Sequence, residues 1–217
     1  MITNSSFIPS STATGAQSAS AFLFPAFRYI PNIAVDETTL SKFVQAFLLP
    51  RQVHAAHNIL LAEKKASMQR VPELESSFPE TLKIQHSPTI LICGHGHRDQ
   101  RCGVMGPVLQ AEFRRALERA GYAVDGKKVD APNHANVGLI SHIGGHKYAG
   151  NVIVYIPPGF WSKGGGPGHE LAGKGIWYGR VEPRHVEGIV QETILGERVI
   201  TDHFRGGIDG DGRILRL

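Results

Sequence analysis

The chain is poor in sulfur, with two cysteines and three methionines in 217 residues. Two cysteines are too few to staple a disulfide-built secreted scaffold. Long apolar runs are also missing. The longest candidate, AFLFPAFRYIPNIAV, is broken by proline and arginine and falls short of the ~18 apolar residues of a membrane span. Residues 1–31 contain no acid and one arginine, Arg28, which is a weak match to a transit peptide, and no charged segment leads into an apolar one as in a secretory signal. The glycine-rich stretch 163–175 lacks a Walker lysine followed by Ser or Thr. No G-x-G-x-x-G follows a strand, and no G-x-S-x-G occurs, so nucleotide binding and serine-hydrolase chemistry lack their motifs. An excess of one sign of charge is lacking as well, with a net of +4. Arg114, Arg115, Arg119, Lys127 and Lys128 cluster without interleaved aromatics, which reads as a solvated helix face. Neither nucleic acid nor a membrane is expected as a partner.

What is present suffices for a folded protein. A hydrophobic content of 41% against 19% charged allows a core in one domain or two small ones. Residues 1–20 are low in complexity and read as flexible, and AFLFPAF (21–27) reads as a short strand. Asp36 caps a helix running to Pro50, with Leu40, Phe43, Val44 and Phe47 on one face. Residues 51–87 are polar, helical to about Met68 and linker-like afterwards. The next part is more regular. PTILICG (88–94) predicts a buried strand and GPVLQAEFRRALERAG (106–121) a helix, with Pro107 near its start, Val108, Phe113 and Leu117 inward and Gly121 at its end. NVGLI, NVIVYI and GIWYGRV predict three more strands, and a helix follows from Glu182 and Pro183 to Gly196. The order β-α-β-β-β-α predicts an α/β sandwich of thioredoxin-like type, a central mixed sheet flanked by helices.

Both cysteines lie in one polar stretch, CGHGHRDQRCG (93–103), with C-x8-C spacing. Cys93 ends a predicted strand. NVGLI runs into SHIGGHKYAGN, where His142 and His146 share a loop whose glycines do not suit a helix. Strand ends on one edge of an α/β sheet commonly form the site, so the four side chains can converge as a Cys2His2 set. Such a set suits a structural zinc, a 2Fe-2S cluster, or no metal, with the cysteines as a dithiol. The spacing is not that of a zinc finger. Two thiolates and two neutral imidazoles would leave an oxidised 2Fe-2S core formally neutral. That raises its reduction potential over four thiolates and makes it pH-dependent.

Cys93-Gly-His95 imitates the start of a Rieske box. The second Cys-x-x-His is missing, however, because Cys102 is followed by Gly103, Val104 and Met105. His95 therefore reads as a polar loop residue, and His97 as solvated. Arg98, Asp99 and Arg101 suit either an ion-pair network around the site or a plain solvated loop. His54, His57, His86, His134, His169, His185 and His203 are scattered and read as satisfied or solvated. Trp177 and Tyr178 read as core.

ILICGHGHRDQRCGVMGP, HANVGLISHIGGHKYAGNVIVY and GIWYGRVEPRHVEGIVQETI together resemble the sucrase/ferredoxin-like family, thioredoxin-like proteins with a 2Fe-2S cluster. The resemblance is strong over about residues 88–207 and looser upstream, in AFLFPAFRYIP and FVQAFLLP. It implies cluster ligands at Cys93, Cys102, His142 and His146, electron transfer rather than catalysis, and unidentified redox partner proteins. It further implies a mitochondrial location, since the mitochondrial branch of the family is closer. On this reading residues 1–85 are the remnant of a longer N-terminal lobe with its linker, and 86–217 the ferredoxin domain. A thiol–disulfide oxidoreductase using Cys93 and Cys102, and a zinc-stabilised binding module, are the alternatives.

Overall fold

The computed structural model describes residues 1–10, 17–97, 99–141, 143–161 and 168–216. They form two compact units. One contains Pro9–Phe22 and Tyr29–Leu82; the other contains Met1–Ile8, Leu23–Arg28 and Lys83–Leu217.

Apolar residues around AFLFP and RYIPNIA form two strands, β1 (Ser18–Leu23) and β2 (Arg28–Ala34), which with β3 (Leu82–Lys83) make a three-stranded sheet in the order β1-β2-β3. The carboxylate of Asp36 accepts from the Thr39 backbone N–H at 2.8 Å and starts α1 (Glu37–Phe43). The single helix expected to run to Pro50 changes at Val44 into a π-helical turn through Leu48, closed by the Leu49 N–H on the Val44 carbonyl at 3.0 Å. Its expected apolar face is only partly used. Phe47 is buried, whereas Leu40 and Val44 are exposed. The turn ends where Arg70 donates to the carbonyls of Phe47 and Leu49, at 2.6 and 3.0 Å, a cation meeting the carbonyl end of a helix. A short α2 (Ala62–Ala66) follows.

The larger unit carries the second sheet. Its strands are β4 (Thr89–Cys93), β5 (Asn136–Ile140), β6 (Val152–Ile156), β7 (Lys174–Tyr178), β8 (Phe204–Ile208) and β9 (Ile214–Leu215), in the order β5-β4-β6-β7-β8-β9. Only β4 and β5 run parallel, as a strand–helix–strand crossover requires. The crossover is α3 (Gln100–Arg119), whose Leu109, Phe113, Ala116 and Leu117 are fully buried in one core with Ile90, Ile92 and Val154. After β7 comes α4 (Pro183–Ile189), extended by a π-helical turn, Val190–Leu195, and burying Val186, Ile189, Val190 and Ile194 in the same core. The order β4-α3-β5-β6-β7-α4 is the expected β-α-β-β-β-α, and the fold is α/β, with a mixed sheet and flanking helices.

Two departures from the sequence reading matter for the site. First, α3 begins at Gln100 rather than near 106, so Pro107 lies inside the helix and Cys102 in its first turn. Asp99 starts it by accepting from the Arg101 N–H at 2.9 Å, while the Arg101 guanidinium clasps the same carboxylate at 3.0 and 2.9 Å. Second, the polar start of the chain is part of the sheet. Ser5 bridges Ile140, with Ser6 N–H on the Leu139 carbonyl and Ser141 N–H on the Asn4 carbonyl, both at 2.8 Å. The ring of Phe7 takes the space where a Cβ on Gly138 would stand.

Candidate metal centre

Cys93 and Cys102 meet at the end of β4 and the first turn of α3. Both are free thiols, each 1% exposed, in a small apolar cluster with Ile140 and Ile143 against which Trp177, Leu91 and Ile153 pack. The approach is permitted by glycine. A Cβ on Gly103 would stand 2.5 Å from the Gly96 Cα, and one on Gly106 2.8 Å from the Gly94 Cα and 2.9 Å from the Cys93 carbonyl oxygen. The CGHG and CGVMG glycines therefore let α3 lie directly on the loop that precedes it. Burial pushes the Cys102 thiol up to about 11, and the neighbouring Cys93, through charge and a hydrogen bond, adds to the rise.

The histidine-bearing loop starts beside this pair. Cys93 is in register with Ile140 on the parallel strand β5, two residues before position 142. His142 lies outside the described residues, as does Arg98. His146 opens a short 3-10 turn, His146–Tyr148. Among the described residues, the structure brings the two cysteines together and shows no group of three or more His, Cys, Asp or Glu arranged for a metal ion.

Asn151, which sequence reasoning missed, organises the loop. It is fully buried, and its carbonyl accepts from the Cys93 N–H at 3.0 Å. Its side-chain oxygen accepts from the Trp177 indole at 3.3 Å, and its amide donates to the Gly145 carbonyl at 3.5 Å. Gly144, at φ +65°, fits because a Cβ there would stand 2.8 Å from Trp177 and 2.9 Å from the Asn151 side-chain oxygen. One buried amide thus ties the strand end carrying Cys93 to the loop carrying the histidines. The only sequence signal is a polar residue at the start of an otherwise apolar strand.

The other expectations divide. Asp99 and Arg101 pair with each other at the start of α3. His169 is a satisfied core histidine, its Nε2 on the Ile194 carbonyl at 3.0 Å and its Nδ1 accepting from the Leu171 N–H at 3.1 Å. Arg115 and Arg119 pair with Glu112 and Glu187 on the solvated face of α3. Tyr178 is core, and Trp177 is half-buried against the thiol pair. No helix among the described residues is long and apolar enough to cross a membrane.

Comparison with known proteins follows the same motifs. The sucrase/ferredoxin-like family model matches residues 1–206, reaching further upstream than the motifs from 88 to 207. Proteins named altered inheritance of mitochondria protein 32 are similar over much of the chain. That of Meyerozyma guilliermondii is 35% identical over 90% of this chain and 59% of its own length. That of Clavispora lusitaniae is 40% identical over 77% of this chain and 51% of its own. That of Debaryomyces hansenii is 43% identical over 55% and 35%. The chain spans less than two thirds of each of these relatives. With the family model matched across nearly the whole chain, and the thiol pair, glycine contacts and Asn151 all within that match, the chain belongs to the sucrase/ferredoxin-like family.

Proposed function

We propose that this chain is an electron-transfer protein holding one 2Fe-2S cluster through Cys93, Cys102, His142 and His146, in association with mitochondria. The observation that carries the reading is the pair of buried, adjacent cysteines at a strand end, beside the strand that leads into the histidine loop. The donor set fits. Burial beside Cys93 holds the Cys102 thiol protonated at neutral pH, and a cationic metal core would supply the charge that holds it as a thiolate. Soft thiolates with imidazole suit iron–sulfur or zinc. When bound, the cluster takes up and releases one electron. The chain's part is to exclude water with Ile140, Ile143 and Trp177, to fix the Cys93 backbone through Asn151, and to present Cys102 from a capped helix.

The thiol–disulfide alternative is less well supported. A reactive cysteine needs exposure and a lowered pKa, and Cys102 has neither. The test is the visible spectrum of anaerobically purified protein before and after dithionite. Bands that bleach on reduction, with two iron and two sulfide per chain, are expected. A colourless protein that gains no colour on iron–sulfide reconstitution overturns the reading, and bound zinc in that protein would assign a structural site instead.

A further inference from the structure

Beside the thiol pocket, three cations surround one ring. The Arg205 guanidinium lies 3.4 Å from the Tyr148 ring centre and 5.6 Å from that of Trp177; Lys147 and Arg180 approach Tyr148 at 5.0 and 5.2 Å. All three cations are exposed, and none takes part in an ion pair among the described residues. The fold makes a special provision for Arg205. The pairing of β7 with β8 shifts register there, so that Trp177 faces Gly206 and Tyr178 faces Phe204, leaving Arg205 as the extra residue of a bulge. Bulges re-aim side chains next to functional sites. Here the bulge accompanies a guanidinium set across Tyr148 and Trp177, and Trp177 packs against the cysteines.

We propose that Lys147, Arg180 and Arg205, gathered on Tyr148, form the docking surface for the acidic face of a redox partner protein, with transfer through the Trp177 side of the pocket. This rests on the electron-transfer reading above. Unpaired cations beside Trp177, which packs against the buried thiols, favour encounter with an anionic partner and speed its association. A protein is favoured over a nucleic acid because the Tyr148 face is already covered by Arg205 and is closed to base stacking.

The test uses the full chain reduced by dithionite and mixed rapidly with ferricyanide, an anionic oxidant, or with tris(phenanthroline)cobalt(III), a cationic one. In each reaction the protein loses one electron and the metal complex gains one. Arg180→Glu combined with Arg205→Glu is expected to slow the ferricyanide reaction roughly tenfold and to speed the cobalt reaction. The charge-matched Arg114→Glu with Arg115→Glu on α3 is expected to keep the wild-type rates. In the wild type, added salt is expected to slow the ferricyanide reaction and speed the cobalt reaction, a readout that needs no variant. Unchanged rates in a coloured glutamate variant, or equal losses in the α3 variant, overturn the docking surface while leaving the cluster standing. If the protein is colourless the cluster reading fails instead, and binding of poly-glutamate decides the surface. Loss of binding in the glutamate variant alone supports it, and equal binding in all variants overturns it. Tighter binding of a single-stranded oligonucleotide than of poly-glutamate, lost in the same variant, would assign the surface to nucleic acid and overturn the proposal.

Discussion

Gly106→Ala puts a single methyl group between α3 and the end of β4. In a helix interior the exchange ordinarily stabilises by about 1 kcal/mol. Here the new Cβ would stand 2.8 Å from the Gly94 Cα and 2.9 Å from the Cys93 carbonyl oxygen, both backbone atoms that no rotamer change can move. The helix must shift as a body, and overpacking of this kind costs about 1–3 kcal/mol. The net expectation is a loss of up to about 2 kcal/mol once the propensity gain is set against it. Gly188→Ala in α4 is the matched control, because nothing lies within 4 Å of its Cβ; it should stabilise by about 0.5–1 kcal/mol. Cys102 sits one turn before Gly106, so the same shift moves the thiol away from Cys93, and iron content per chain should fall in the first variant only. Urea unfolding monitored by circular dichroism measures both stabilities. Gly106→Ala as stable as Gly188→Ala, with full iron content, would refute the close-approach argument.

Asp99→Ala removes the carboxylate that starts α3 and should cost about 0.5–2 kcal/mol, with Asp99→Asn costing much less, both read from the urea midpoint. Tyr178→Phe leaves the buried Thr193 hydroxyl and the Ile200 N–H without the phenol oxygen that now meets them at 2.7 and 3.2 Å, and a loss of about 1–3 kcal/mol is expected. Burial alone would raise the Asp130 pKa, but the backbone N–H groups of His86, Gln85 and Ser87 outweigh it and hold the carboxyl below its ordinary 3.8. Its stabilisation is therefore complete above that value and is lost as the pH falls through the lower native one. Asp130→Asn should flatten the acid limb of the stability–pH curve, and an unchanged limb would contradict the assignment. His142→Cys and His146→Cys should each lower the cluster's potential and weaken its pH dependence in redox titration; an unchanged potential and slope in both would remove the histidines as ligands.

The core elements were readable because their signals are local. TILIC, NVGLI and VIVYI are apolar runs bounded by breakers, and Gly121 closes α3 at φ +90° as a helix terminator should. The start of α3 was misread for the opposite reason. Gly103, Gly106 and Pro107 look like helix breakers in isolation, yet the glycines are needed because a neighbouring backbone comes within their Cβ radius, which is a tertiary fact. Strand β8, FRGGI, and the rung at Asn4–Ser6 carry almost no apolar alternation and exist through the strands they meet. Within the candidate site, the cysteine pair could be anticipated from spacing. Asn151 and Arg205 could not, because a buried amide bridge and a bulge leave no periodic trace.

The rung at Asn4–Ser6 also has a consequence for solubility. Strand β5 closes one side of the six-stranded sheet, and a bare outer strand offers its backbone to any other extended chain. The Asn4–Ser6 segment occupies the Ile140 end of that side, with Ser6 Oγ accepting from the Leu139 N–H at 2.9 Å. At the opposite side the sheet stops at a two-residue strand, too short to template another. Both margins are thereby made poor seeds for intermolecular growth, and a chain lacking residues 1–8 should self-associate through the exposed margin of β5 before it loses its fold.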